Sequence, residues 1–290
     1  MNTLPPAVAL DGVGKRFGEG RGATEAVTGI DLTVGAGEFV ALIGPSGCGK
    51  STLLRIVGDL ISPSSGTVVV NGKPAARARR DRDYGMVFQA PVLFEWRTVV
   101  DNVKLPLEIQ GADGAKRTRR AKEMLDLVEL GDFLGHYPYQ LSGGMQQRVA
   151  IARALAFEPA ILLMDEPFGA LDEMTRERMN SEVLRIWERT GTTIVFVTHS
   201  IPEAVFLSSR VVVMSARPGR ITKVIDVDLP RPRNEDTRET RRYFELVTAV
   251  REALRRRGSG GETADTDEPT DPDIAGLGSV DRTLAEGAVG

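Results

Sequence analysis

GPSGCGKST, from Gly44 to Thr52, puts three glycines, one lysine and three hydroxyls into one short stretch. It follows the apolar run FVALI and opens into STLLRIV, so a strand, a turn and a helix stand in the order a phosphate loop requires. Backbone N–H groups of such a turn converge on phosphate oxygens, helped by the positive end of the helix. Gly44, Gly47 and Gly49 let the backbone approach where a side chain would clash. Lys50 is expected to reach the β- and γ-phosphates of a bound nucleotide, and the Ser51 hydroxyl to ligate Mg²⁺. Pro45, Ser46 and Thr52 complete the binding loop; Cys48, at a variable position of it, is expected to be tolerated, not catalytic.

A second group of reactive residues ends the run ILLMDEP, Ile161 to Pro167. A buried strand that ends in two carboxylates suits a parallel sheet, whose ligands gather at the strands' carboxyl ends. Asp165 is expected to hold Mg²⁺ through its water shell. Strand alternation sends Glu166 to the other side, where it would polarise an attacking water as general base. A third element is LSGGMQQR, Leu141 to Arg148, a helix start with a serine and two glycines. A cap needs the serine and not both glycines, so this is a further anion-binding element.

The elements that must position these groups read as an α/β alternation. Strands are predicted at Glu38–Ile43, Thr67–Asn71, Tyr84–Phe88, Ala160–Met164, Thr193–Val197 and Val211–Met214. The runs ILLM, TIVFV and VVVM are apolar without alternation, as for strands covered on both faces. Helices are predicted at Lys50–Val57, Lys116–Glu129, Gly143–Phe157, Glu173–Arg189 and Arg238–Arg256. In the fourth, Met179, Val183, Ile186 and Trp187 share one face. Tyr243, Leu246, Val247, Val250 and Leu254 give the last an apolar face that something must cover. Ala90 to Pro138 carries no clear strand and reads as a helical insertion into the core.

The chain has 290 residues, 41% hydrophobic and 27% charged, enough for a sizeable core. Residues 258–290 hold eight acidic groups and one arginine, so the net −3 hides a mildly basic body and an acidic, low-apolar tail expected to be disordered. One cysteine excludes an internal disulfide framework. The start MNTLPPAVALDGV has no signal-peptide pattern, and no apolar run approaches the ~20 residues that span a bilayer. The basic runs RARRDR, KRTRRAK and REALRRR accompany no base-reading motif and read as solvated faces, not a nucleic-acid surface.

With GPSGCGKST, LSGGMQQR and MDEP in that order, residues 8–230 resemble the ATP-binding cassette of ABC transporters. The resemblance implies an α/β P-loop NTPase cassette with a RecA-like core, an antiparallel β subdomain and an inserted helical subdomain at about residues 90–158, within a domain spanning 1–257. It implies ATP with Mg²⁺, and a head-to-tail homodimer in which each ATP lies between one phosphate loop and the partner's LSGG. Ser142, Gly143 and Gly144 then face a γ-phosphate across the twofold axis, and Gln146 is counted with these contacts. On that helix Met145, Val149, Ala152 and Ala156 form the apolar stripe, leaving Gln146, Gln147 and Arg148 polar and near the interface. By resemblance, Gln89 is a lid residue that contacts Mg²⁺ or water, His199 orients Glu166 and contacts the γ-phosphate, and Asp172 crosses the dimer interface. Phe17 either stacks on adenine or is an ordinary packed aromatic, and His136 matches nothing.

The stretch from LLMDEPFGALDEM through SARPGRI, with WRTVVDNVKLPLEI, is similar to cassettes of nitrate, sulfonate, taurine and pyrimidine-precursor importers. That implies uptake with two membrane permease subunits and a solute-binding protein, the cassette sitting peripherally on the cytoplasmic face of the inner membrane. Phe94, Trp96 and Val99 either line the groove that grips the permease or pack the insertion's own core. An exporter cassette remains an alternative, as does a soluble cassette, although neither a second cassette nor a long coiled-coil insertion is present. A kinase or GTPase has no place for LSGGMQQR, and no NKxD motif occurs.

Overall fold

Along the chain come β1 (Val8–Phe17), β2 (Thr24–Val34), β3 (Phe39–Ile43), α1 (Lys50–Val57), β4 (Ser65–Val70), β5 (Lys73–Pro74), α2 (Ala75–Asp81) and β6 (Tyr84–Val87). Three helices follow, α3 (Val99–Ile109), α4 (Gly114–Leu127) and α5 (Gly143–Leu155). The remainder is β7 (Ile161–Asp165), α6 (Glu173–Thr190), β8 (Thr193–Thr198), α7 (Ile201–Leu207), β9 (Arg210–Met214), β10 (Ile221–Asp226) and α8 (Arg241–Arg255). The computed structural model describes residues 5–255, so the acidic tail expected from 258 lies outside the described residues.

Two sheets form. The larger has the order β10-β9-β3-β8-β7-β6, parallel except for the antiparallel edge strand β10. The smaller, β2-β1-β4-β5, is antiparallel. Strands β3, β7 and β8 are buried at every residue, as their unalternating apolar sequences require. Their side chains alternate between two cores. Phe39, Ala41, Ile43, Leu162, Met164, Ile194 and Phe196 face the helices. Val40, Leu42, Ile161, Leu163, Val195 and Val197 face α1 and the antiparallel sheet. Every chemical group named above must therefore enter at a strand end, because both faces are covered.

Helix α6 buries Met179, Val183 and Ile186, with Trp187 half-buried against Phe39 at a ring separation of 6.1 Å. The apolar face of α8 is covered too: Tyr243, Leu246, Val247 and Val250 join the helix-side core, and the Tyr243 hydroxyl donates to Pro202 O of α7 at 3.2 Å. That helix begins at Arg241, because residues 235–239 form a 3₁₀ turn capped by Asn234. Segment 90–138 is helical without strands, as expected, and α5 packs on both α3 and α4. Within it Val99 is fully buried and packs the insertion's own core, while Trp96 is 74% exposed. In the first two basic runs Arg77 and Arg79 pair with Asp81 and Asp59, and Arg120 pairs with Glu123 and Glu158, while the third extends beyond the described residues. No helix among the described residues is long and apolar enough to cross a membrane.

Candidate functional site

Sheet order decides which groups meet. Adjacent strands β3, β8 and β7 end side by side, delivering the 44–52 loop, His199 and the Asp165–Glu166 pair to one edge. The loop must turn sharply into α1, and Gly49 does this with φ 90° at the helix cap. A side chain there would also strike Val27 and the Ala26 carbonyl. The result is a cleft of about 270 Å³ lined by Ala26, Ser46, Gly47, Cys48, Gly49, Lys50, Ser51, Thr52 and Glu166. A larger groove of about 500 Å³, between α4 and the end of α6, contains none of the predicted site residues.

Lys50 is 5% exposed, and its ammonium donates to Gly44 O at 2.9 Å and Pro45 O at 3.3 Å. Glu166 Oε1 stands 4.0 Å from the same nitrogen. The Ser51 hydroxyl donates to Asp165 Oδ1 at 2.6 Å, so a hydroxyl and a carboxylate lie together beside the loop. Hard oxygen donors in that position fit Mg²⁺, which keeps waters and takes few protein ligands next to phosphates. Cys48 is buried in the loop and lines the cleft, and burial pushes its thiol up.

Glu166 requires one correction. Strand β7 stops at Asp165, and Glu166 takes a left-handed backbone with φ 46°. Turn geometry, not strand alternation, separates its direction from that of Asp165. Such a conformation at a glutamate costs about 1–3 kcal/mol and persists only where neighbours fix it. Here its N–H donates to Val197 O at 3.0 Å and its carbonyl accepts from Gly169 N at 3.1 Å. His199 Nδ1 lies 3.2 Å from Glu166 Oε2, so the imidazole sits where it can orient that carboxylate.

Gln89 is exposed just past β6, and Gly169 leaves room for it: a Cβ there would stand 3.2 Å from its Nε2. Phe17 is 44% exposed with Lys15 Nζ 5.1 Å from its ring centroid, so one face of the ring is covered by the chain's own lysine. Asp172 is exposed and caps α6, accepting from Thr175 N at 3.0 Å; that N–H holds its carboxyl below the usual range.

Around LSGG the structure confirms the helix start and revises its side chains. Ser142 caps α5, accepting from Met145 N at 3.4 Å. Met145 is half-buried, while Val149, Ala152 and Ala156 are buried as the expected stripe. Of the three polar residues only Gln147 is buried; Gln146 and Arg148 are half-exposed, each also bonded within the chain. Gln147 is 2% exposed and donates to Phe88 O at 3.0 Å, so it anchors the residue before Gln89 instead of lining an interface. Gln146 donates to Pro138 O at 2.9 Å, and Arg148 to Val128 O at 3.2 Å. A glutamine beside two other polar residues gives no sequence signal of such burial. His136 packs on Phe133 and accepts from Val99 N at 2.7 Å, a structural role.

Comparisons with known proteins identify the family. The family model described as ABC transporter matches residues 27–169. An uncharacterized ABC transporter ATP-binding protein of Methanocaldococcus jannaschii is 49% identical over 226 residues, 78% of this chain and 84% of that protein. A nitrate import ATP-binding protein of Synechocystis is 48% identical over 223 residues, covering 77% and 82%. An aliphatic sulfonates import ATP-binding protein of Bacillus cereus is 44% identical over 229 residues, covering 79% and 89%. Among solved structures, a dimeric ATP-binding cassette in a post-hydrolysis state with ADP and Pi superposes with a TM-score of 0.67 at 38% identity, covering 76% of this chain and 98% of that one. A cassette of Clostridium perfringens that is part of the cbiONQ transporter complex gives 0.71 at 25%, covering 88% and 96%.

Proposed function

The chain belongs to the ATP-binding cassette family of ABC transporters, as an ATP-binding subunit that hydrolyses ATP, and from that premise we propose that it powers an importer of small anions. Two copies would close head to tail over two ATP molecules beneath separate permease subunits, on the cytoplasmic face of the membrane, with a solute-binding protein delivering cargo. Relatives named as nitrate and aliphatic sulfonate import proteins support the direction and the cargo class. The cassette itself contacts no solute, so this part is family association.

The observation that carries the hydrolytic reading is the meeting of Lys50, Glu166 and His199 at one loop, at 4.0 Å and 3.2 Å. On ATP binding, the Lys50 ammonium exchanges the Gly44 carbonyl for phosphate oxygens. Glu166 takes the proton of the attacking water, and His199 holds that carboxylate in line. Ser51, Asp165 and Gln89 would hold Mg²⁺ beside the phosphates, and a bound ion would supply positive charge there. Ser142 and the Gly143 N–H of the second copy would stabilise the γ-phosphate from the opposite side. Asp172 would meet the same interface, and Phe17 would support the adenine. Trp96, exposed on the helical insertion, is the side chain offered to the permease.

Reconstitution tests this. The chain, co-purified with its permease subunits in vesicles, should take up nitrate or alkanesulfonate only with ATP, Mg²⁺ and the capture protein. Efflux from loaded vesicles, or ATP turnover with no permease association, would overturn the importer reading.

A further inference from the structure

Glu203 is a buried carboxylate that the hydrolytic site does not use. It stands in the first turn of α7 and is 5% exposed. Its Oε2 accepts from Thr198 Oγ1 at 2.5 Å, while Oε1 faces Arg176 Nε at 3.8 Å and has no hydrogen-bond partner. Thr198 Oγ1 in turn accepts from the Ser200 N–H at 2.9 Å. Both neighbours of His199 are thereby tied to one carboxylate. Arg176, in the first turns of α6, donates to Phe168 O at 3.3 Å and Leu171 O at 2.7 Å. It pins the turn that begins just after Glu166 and ends at the Asp172 cap. Burial pushes the Glu203 carboxyl up, and Thr198 and Arg176 draw it back.

A carboxylate at this depth is tolerated only when its partners hold it in a fixed geometry. Thr198, ending β8, and Arg176, in α6 and bonded to Phe168 O and Leu171 O, flank the two turns that carry His199 and Glu166, which leave separate strands and enter separate helices. We propose that the Glu203–Arg176 pair is a joint between those turns, a positioning device that keeps His199 and Glu166 at their 3.2 Å contact. It rests on the catalytic reading of those two residues given above. Neither Glu203 nor Arg176 lines the phosphate-loop cleft. The joint therefore bears on proton transfer, which a small misplacement slows steeply, far more than on nucleotide affinity, to which His199 would add one γ-phosphate contact among those of the loop.

Steady-state ATP hydrolysis by the full chain separates this from a merely stabilising role. In Glu203→Gln the expected result is kcat lower by about 10-fold with KM for ATP changed by less than about twofold. Arg176→Met should behave alike, and the double variant should be no slower than the slower single one, because the pair acts as a unit. Should Glu203→Gln melt below the assay temperature, Arg176→Lys carries the same expectation, since it keeps the cation and loses the fork on the two carbonyls. Wild-type kcat in the folded variant, a KM that rises in step with the loss, or additive losses would overturn the joint. Full activity in Glu166→Gln, measured alongside, would instead remove the catalytic assignment that the joint serves.

Discussion

Around the phosphate loop the chain supplies its own ammonium, carboxylates and imidazole, all within 4.0 Å of a neighbour in the group. Around Ser142 it supplies only a cap and packing: the hydroxyl serves Met145 N, and the adjoining glutamines and arginine turn back onto the chain's own carbonyls. Both are helix N-termini with positive ends. One is dressed with the side chains proposed for catalysis and the other is left bare, exposed at Ser142 and Gly143. One bare and one elaborated helix end on the same chain are what two half-sites need when each is completed by the opposite half of a second copy.

The largest effect belongs to the elaborated end. Glu166→Gln should slow ATP turnover by roughly 10²–10⁴, the scale of a lost general base, while ATP binding persists and the dimer is trapped. Equal turnover in that variant, measured by phosphate release, would leave the phosphate-loop end with no chemical advantage over the bare one. A mixing experiment attacks the comparison directly. Chains carrying Lys50→Met and chains carrying Ser142→Arg should each be inactive alone. Random pairing makes half of the dimers mixed, each with one intact composite site, so a mixture should recover about a quarter of wild-type sites. A mixture no more active than its parts would show that the two elements do not complete each other.

Much of this division is legible in the amino-acid order, because its signals are local. The loop 44–52 carries its own strand, turn and helix, and α1 begins and ends where the pattern places it, at Lys50 and Val57. Strands β7 and β8 announce themselves by apolar runs with no polar face. Other elements hide for physical reasons. Strand β1 shifts register between Leu10 and Val13 and again before Lys15, which breaks the alternation that would reveal it. Helix α3 contains Pro106, and α7 has only seven residues, too few for a helical period to show. Polar groups spent inside the fold are hardest: Gln147, Glu203 and the half-buried Arg176 look like surface residues, and only the tertiary fold gives them partners.

The smallest predicted effect asks why the bare end keeps two glycines. A methyl added at Gly144 would stand 2.9 Å from Thr175 Cγ2 of α6, whereas one at Gly143 would meet Leu171 Cδ2 at an ordinary 3.6 Å. Gly144 is buried and Gly143 exposed. The pair therefore divides into a packing glycine and an open one. Gly144→Ala should lose about 1 kcal/mol through overpacking, offset in part by alanine's helix preference. That corresponds to a melting temperature lower by about 2–4 °C in a domain of this size. Thr175→Ser removes the opposing methyl and should restore it. Gly143→Ala should melt no lower than wild type yet weaken ATP-dependent dimerisation, because its methyl occupies the approach to the exposed N–H groups. Should Gly143→Ala dimerise normally, the helix end would be bare without being a binding surface, and the contrast between the two ends would reduce to packing.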